Sequence, residues 1–96
     1  MTRKEVKKSE VITVSTAAVT LTAANMLPPI NKVFVHFEGP VRYWRSGLAP
    51  TASTGIPLDD KATKEFDISE ATGLKMIRNG GADAKAHVEY IYERET

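Results

Sequence analysis

Residues 33–55, VFVHFEGPVRYWRSGLAPTASTG, constrain the fold more than any other stretch of this chain. Phe34, Phe37, Tyr43, Trp44, three glycines and two prolines fall together here, so large apolar side chains sit beside residues with special backbone roles. Residues 32–38 alternate as a strand must: Val33, Val35 and Phe37 share one side, and Phe34, His36 and Glu38 share the other. Gly39-Pro40 turns the chain, glycine supplying backbone freedom and proline fixing its own φ. Residues 41–45 are expected to return antiparallel to the first strand, with Val41, Tyr43 and Arg45 on one side and Arg42 and Trp44 opposite. Each face then carries an aromatic, and one is expected to meet a second subunit. Residues 46–55 are small and hydroxyl-rich, the composition of an ordered loop held by local hydrogen bonds.

The flanking segments extend the β pattern. Residues 11–16 are almost wholly β-branched, and Val19 and Leu21 alternate with threonines. Pro28-Pro29 stops regular structure, with Leu27 and Ile30 expected beneath the loop. Residues 63–69 alternate Phe66 and Ile68 with polar residues. Leu74, Met76 and Ile77 mark a further strand before Asn79-Gly80-Gly81, which reads as a hairpin turn. Helix is the one competing reading for residues 69–75, and Gly73 argues against it. Residues 83–93 close the domain, with Ala84, Ala86, Val88, Tyr90 and Tyr92 on one face and Lys85, His87, Glu89, Ile91 and Glu93 mostly facing water. Seven to eight short strands predict an all-β fold: a small antiparallel β-sandwich or flattened barrel, Ig-like or jelly-roll-like. Residues 10–96 form one domain in this reading, and residues 1–9 a flexible basic N-terminal arm carrying Arg3, Lys4, Lys7 and Lys8.

Several chemistries find little purchase. The formal net charge of +1 gives no reason to expect nucleic acid or an anionic membrane as partner. The absence of cysteine removes disulfides, thiolate catalysis and zinc–thiolate sites. No secretory signal or membrane-spanning run is visible, so synthesis in the cytoplasm is expected. His36 and His87, with Glu38 and Glu89 two residues beyond each, need converging geometry to hold a metal, and ordinary surface placement is the simpler reading. Asp59, Asp60, Glu65 and Asp67 match no EF-hand spacing and read as a solvated turn and strand edge. No G-x-S-x-G elbow and no phosphate loop occurs. Trp44 beside Tyr43 suits either a core or interface role or a stacking platform for sugars. The expectation is a non-enzymatic chain with no catalytic, metal or cofactor-binding residue.

One motif adds to this. VRYWRSGLAPTASTG resembles a pattern in small phage virion proteins, a V-R-Y strand followed by a turn and P-T-x-S-x-G. It is carried here by Val41, Arg42, Tyr43, Gly47, Pro50, Thr51, Ser53 and Gly55. The similarity extends to the V-T-V-S strand, the Leu-Thr-Ala-Ala step and the closing Ala-x-Val-x-Tyr strand. The resemblance implies a virion component: a capsid decoration or cement protein, or a head–tail or tail piece. It implies docking to copies of itself, a homo-oligomer such as a trimer, and to the major capsid or tail protein. The expected contacts are Arg3, Lys4, Lys7 and Lys8, the face of Arg42 and Trp44, and Leu48, Pro50 and Thr51. A shorter form of the turn occurs in immunoglobulin-like accessory domains of chitin- and hexosamine-degrading enzymes, with Asp-Gly where this chain has Ser46-Gly47. That likeness implies an alternative, a carbohydrate-binding module using Trp44 and residues 47–55.

Overall fold

The computed structural model describes residues 2–95. Eight strands run in the order β1 (Thr2–Val14), β2 (Val19–Thr20), β3 (Lys32–Glu38), β4 (Val41–Trp44), β5 (Ile56–Leu58), β6 (Thr63–Asp67), β7 (Lys75–Arg78) and β8 (Ala84–Glu95). They form two four-stranded sheets, β1-β8-β3-β6 and β2-β7-β4-β5, antiparallel at every pairing. The two sheets pack face to face, so the expected all-β sandwich is the observed architecture.

The core follows from the alternation. Val33, Val35 and Phe37 of β3, Val41 and Tyr43 of β4, and Ala84, Ala86, Val88 and Tyr90 of β8 all point between the sheets and are buried. Phe66, Leu74 and Met76 fill the remaining space, and Tyr43 meets Phe66 edge to face at a centroid distance of 5.8 Å. Each large apolar side chain so enclosed contributes about 1.5–3 kcal/mol of transfer free energy. Among the described residues, no polar or charged residue is buried. Of the two residues expected beneath the proline loop, Ile30 is buried and Leu27 is exposed.

Four local readings change. Gly39-Pro40 does not close a hairpin: β3 pairs with β6 and β8, while β4 pairs with β5 and β7. The chain crosses from one sheet to the other there, with Gly39 at φ +95° donating its N–H to Asp60 at 2.7 Å. Asn79-Gly80-Gly81 is a second crossing, from β7 to β8, for the same reason. Residues 68–71 form a single helical turn, α1 (Ile68–Ala71), started by a capping box between Asp67 and Glu70. Residues 56–58, where the sequence pattern marks no strand, are the edge strand β5.

The largest change is at the N-terminus. Residues 2–9, expected as an arm outside the domain, are the first part of β1 and pair with the far end of β8. Met1 and Thr96, counted in the arm and the domain respectively, lie outside the described residues. A strand of 13 residues spans roughly 43 Å at the usual rise. That accounts for the long axis of the 44 × 23 × 21 Å molecule. The β1–β8 register slips between Val6 and Lys8, leaving Lys7 in a bulge. Ile91, expected to face water, is buried between its strand neighbours Val6 and Lys32, whereas Tyr92 is only half-buried.

Candidate docking surfaces

A sandwich has two outer faces, and this one treats them differently. Over the sheet of β2, β7, β4 and β5, the chain supplies its own cover. Arg42 projects outward from β4, donating from Nη1 to the Gly55 carbonyl at 3.0 Å and from Nε to Asn79 at 3.2 Å. Gly55, at φ +125°, lies so close that a Cβ there would stand 3.0 Å from Pro50 and 3.2 Å from Arg42. Pro50 is buried, and Thr51 Oγ1 accepts the N–H groups of Ser53 and Thr54 and bonds the Thr54 hydroxyl at 2.7 Å. Ile77, outward-facing beside Arg42 on β7, is buried, and Ala52 of the loop lines the same small hollow. The motif residues thus fold the loop onto the sheet. Of the contact candidates here, Arg42, Pro50 and Thr51 are engaged within the chain, Trp44 is half-buried with its Nε1 enclosed and unbonded, and Leu48 is 62% exposed.

The outer face of β1-β8-β3-β6 has no such cover. Strand register aligns Val11, His87, His36 and Thr63 in one row across the four strands, with Ser9, Glu89, Phe34 and Glu65 in the next. The β1, β8 and β3 members of these rows line an open trough of about 520 Å³, whose walls include Ser9, Val11, Phe34, His36, His87 and Glu89. Val11 is 57% exposed and Phe34 half-exposed. The histidine rings sit 6.4 Å apart; His36 Nδ1 bonds Thr63 Oγ1 at 3.0 Å and His87 Nε2 bonds Glu38. Among the described residues, no group of three or more His, Asp or Glu side chains is placed to hold a metal ion.

Charges rim this trough. At one end, Lys32 reaches Glu65, Asp67 and Glu93 at 3.2–3.6 Å, and Lys4 meets Glu65 at 3.1 Å. Hydrogen bonds from Lys4, then Lys32, hold the Glu65 carboxyl below the usual carboxylate range, and the bond to Glu65 is the largest cause raising Lys32. At the far end stand Glu38 and Lys85, opposite one another. The remaining N-terminal cations are spread along β1. Lys7 pairs with Glu5 at 2.8 Å, lowering its pKa, and Arg3 stands 4.0 Å from the same carboxylate, which Arg94 also meets. Lys8 is exposed. Of the four basic candidates only Lys4 belongs to the trough's rim.

The sequence reading missed the trough residues Val11 and Phe34 as contacts. The signal was present: Phe34 falls on the side of β3 opposite Val33, Val35 and Phe37, so a large aromatic had to point away from the core. A second polar cluster lies inside the sandwich mouth. Tyr90 donates to Glu10, which also accepts from Thr22 at 2.8 Å and Asn25 at 2.9 Å. Partial burial opposes ionisation of Glu10, yet the hydrogen bonds from Tyr90, Thr22 and Asn25 outweigh it and lower the pKa. Burial, with Glu10 beside it, pushes Tyr90 up to about 12. This cluster ties the turn at Ala23–Met26 to β1 and β8, a structural role.

Comparison with known proteins finds no matching family, no matching curated relative and no solved structure that matches.

Proposed function

We propose that this chain is a non-enzymatic structural protein of a phage virion, a capsid decoration or cement subunit or a head–tail or tail component. It acts by docking to neighbouring subunits: copies of itself, the major capsid protein or a tail protein. The observation that carries the docking reading is the uncovered trough of Val11, Phe34, His36 and His87 set within a charged rim. Apolar side chains interleaved with histidine rings and the Glu89 carboxylate, and bordered by ion pairs, give the mixed composition common at protein contacts. A stable contact buries on the order of 1,000 Å² in total, so trough and rim would engage together. The virion assignment is supported by the V-R-Y and P-T-x-S-x-G motif, whose residues form one folded unit over the other sheet. Docking would stabilise the assembled particle by mass action, without turnover.

Mass spectrometry of purified virions from the genome that encodes the chain tests this reading. The proposal expects the chain in many copies per particle, and Phe34→Ser to reduce its incorporation while the free protein stays folded. Absence of the chain from virions overturns it. Carbohydrate binding through Trp44 would instead appear as glycan-dependent quenching of the single tryptophan.

A further inference from the structure

The four sheet edges are unequal. β6, β2 and β5 have five, two and three residues, short enough to offer little to a foreign strand. β1 has 13 residues and is the outer strand of its sheet. Its first part is defended in the ways edges usually are, by Lys4, Lys7 and Lys8 and by the bulge at Lys7. Residues 9–14, SEVITV, have neither lysine nor proline nor bulge. Among the described residues, none outside β8 hydrogen-bonds the backbone of residues 9–13, so one side of this segment is unpaired.

We infer that this edge pairs with the same edge of a second copy, antiparallel about a two-fold axis at Val11, joining two four-stranded sheets into one of eight strands. Symmetry restricts the register, because like faces must stay together and each residue must meet its mirror position. Centring on Glu10 sets two carboxylates directly opposite, which is unfavourable. Centring on Ser9 or earlier brings the bulge at Lys7 into the paired stretch. Centring on Ile12 leaves only residues 10–14 to pair, since β1 ends at Val14. Centring on Val11 uses the whole unbulged stretch, residues 8–14. Val11 then meets Val11, Ser9 meets Thr13, Glu10 meets Ile12 and Lys8 meets Val14.

Charge and shape fit this register. Glu10 carries no free demand into the contact, since Tyr90, Thr22 and Asn25 already donate to its carboxylate. Lys7 and Lys8 fall beside the end of β1 on the second copy, where Ser15 and Arg78 hold the Asp83 carboxylate. In this register the lysines stand beside an Asp83 carboxylate already paired with Arg78, and not beside each other. On the outer face, the two troughs meet at the Val11 pair and become one continuous strip.

The inference names one partner for the docking reading, but the purified chain alone tests it, whereas virions test the other. The wild-type chain has no cysteine, so Val11→Cys introduces the single thiol. A Cα separation of 4.4–6.8 Å across a two-fold strand pair suits a disulfide. Under mild oxidation Val11→Cys is expected to form a covalent dimer at least about tenfold faster than Leu48→Cys, an exposed site on the other side of the sandwich. Val11→Lys, which sets two ammonium groups opposite one another, is expected to raise the dimer dissociation constant roughly tenfold or more in sedimentation velocity, with an unchanged circular dichroism spectrum. Equal cross-linking rates for the two cysteine variants, an unchanged dissociation constant for Val11→Lys, or a wild-type chain monomeric at about 1 mM would each overturn the inference.

Discussion

Ile77 and Val11 occupy comparable places, each an aliphatic side chain on the outward face of a sheet, and they meet opposite fates. Ile77 is buried under the chain's own loop, whereas Val11 is 57% exposed beside an open trough. The difference lies in what the sequence provides nearby. Residues 46–55 follow β4 directly and fold back on Arg42, so one sheet is closed by local hydrogen bonds and a tight glycine–proline contact. The nearest such segment, the turn at Ala23–Met26, is tied to Glu10 and Tyr90 and leaves Val11 exposed. The covered face spends its side chains on stability, and the open face keeps Phe34, Val11 and two histidine rings for something outside the molecule.

Breaking the cover should cost most. Gly55→Ala combines a positive φ with a 3.0 Å approach to Pro50, and should destabilise the fold by about 2–3 kcal/mol in denaturant unfolding. Gly47→Ala provides the contrast, with φ +90° but nothing within 4 Å of the added Cβ, and should cost about 1 kcal/mol. Arg42→Met removes the clamp on Gly55 and Asn79. It should cost about 1–2 kcal/mol, with faster amide exchange across residues 46–55 as the specific readout. On the open face, Phe34→Ser should cost about 1–2 kcal/mol, less than truncating a fully enclosed aromatic, because Phe34 is only partly buried. The same substitution should markedly reduce association with particles, in a co-sedimentation assay.

The smallest effect concerns pH. Glu10 has a lowered pKa in the folded chain, so the unfolded state binds more protons as the solution is acidified. Its contribution to stability is therefore present above the ordinary glutamate range and is lost as pH falls through the lowered value. Tyr90 behaves in the opposite sense: with its pKa pushed up to about 12, its contribution is present below 10 and lost as pH rises toward 12. Comparing melting temperatures at pH 7 and pH 3 should show a smaller acid-induced drop in Glu10→Gln than in the parent chain. An equal drop would show that Glu10 contributes nothing to the acid sensitivity of the fold.

Legibility in the sequence tracked how local the determining interaction is. β3 could be read in full because Val33, Val35 and Phe37 alternate against Phe34, His36 and Glu38, and the observed strand has the same bounds. Pairing was not legible. Gly39-Pro40 and Asn79-Gly80-Gly81 carry turn chemistry that serves a sheet crossing as well as a hairpin, and the choice is made by β6, β7 and β8 far along the chain. The first eight residues of β1 are nearly all polar, with Val6 the sole aliphatic, so no hydrophobic period announces a strand. They are extended because the far end of β8 pairs with them. The helical turn at α1 was too short for a period, although Asp67 and Glu70 spell its capping box. As for the candidate surfaces, the motif loop stood out by composition. The open trough did not, because Val11, Phe34, His36 and His87 come from three separate strands and meet only in the folded sheet.

The claim that the open sheet face and its β1 edge do the docking, while the loop-covered face does not, is tested most directly by hydrogen–deuterium exchange on the dilute and the assembled chain. Assembly is expected to slow exchange across residues 9–14 and to leave residues 46–58 as they were. Protection confined to residues 46–58, with the β1 edge unchanged, would contradict it.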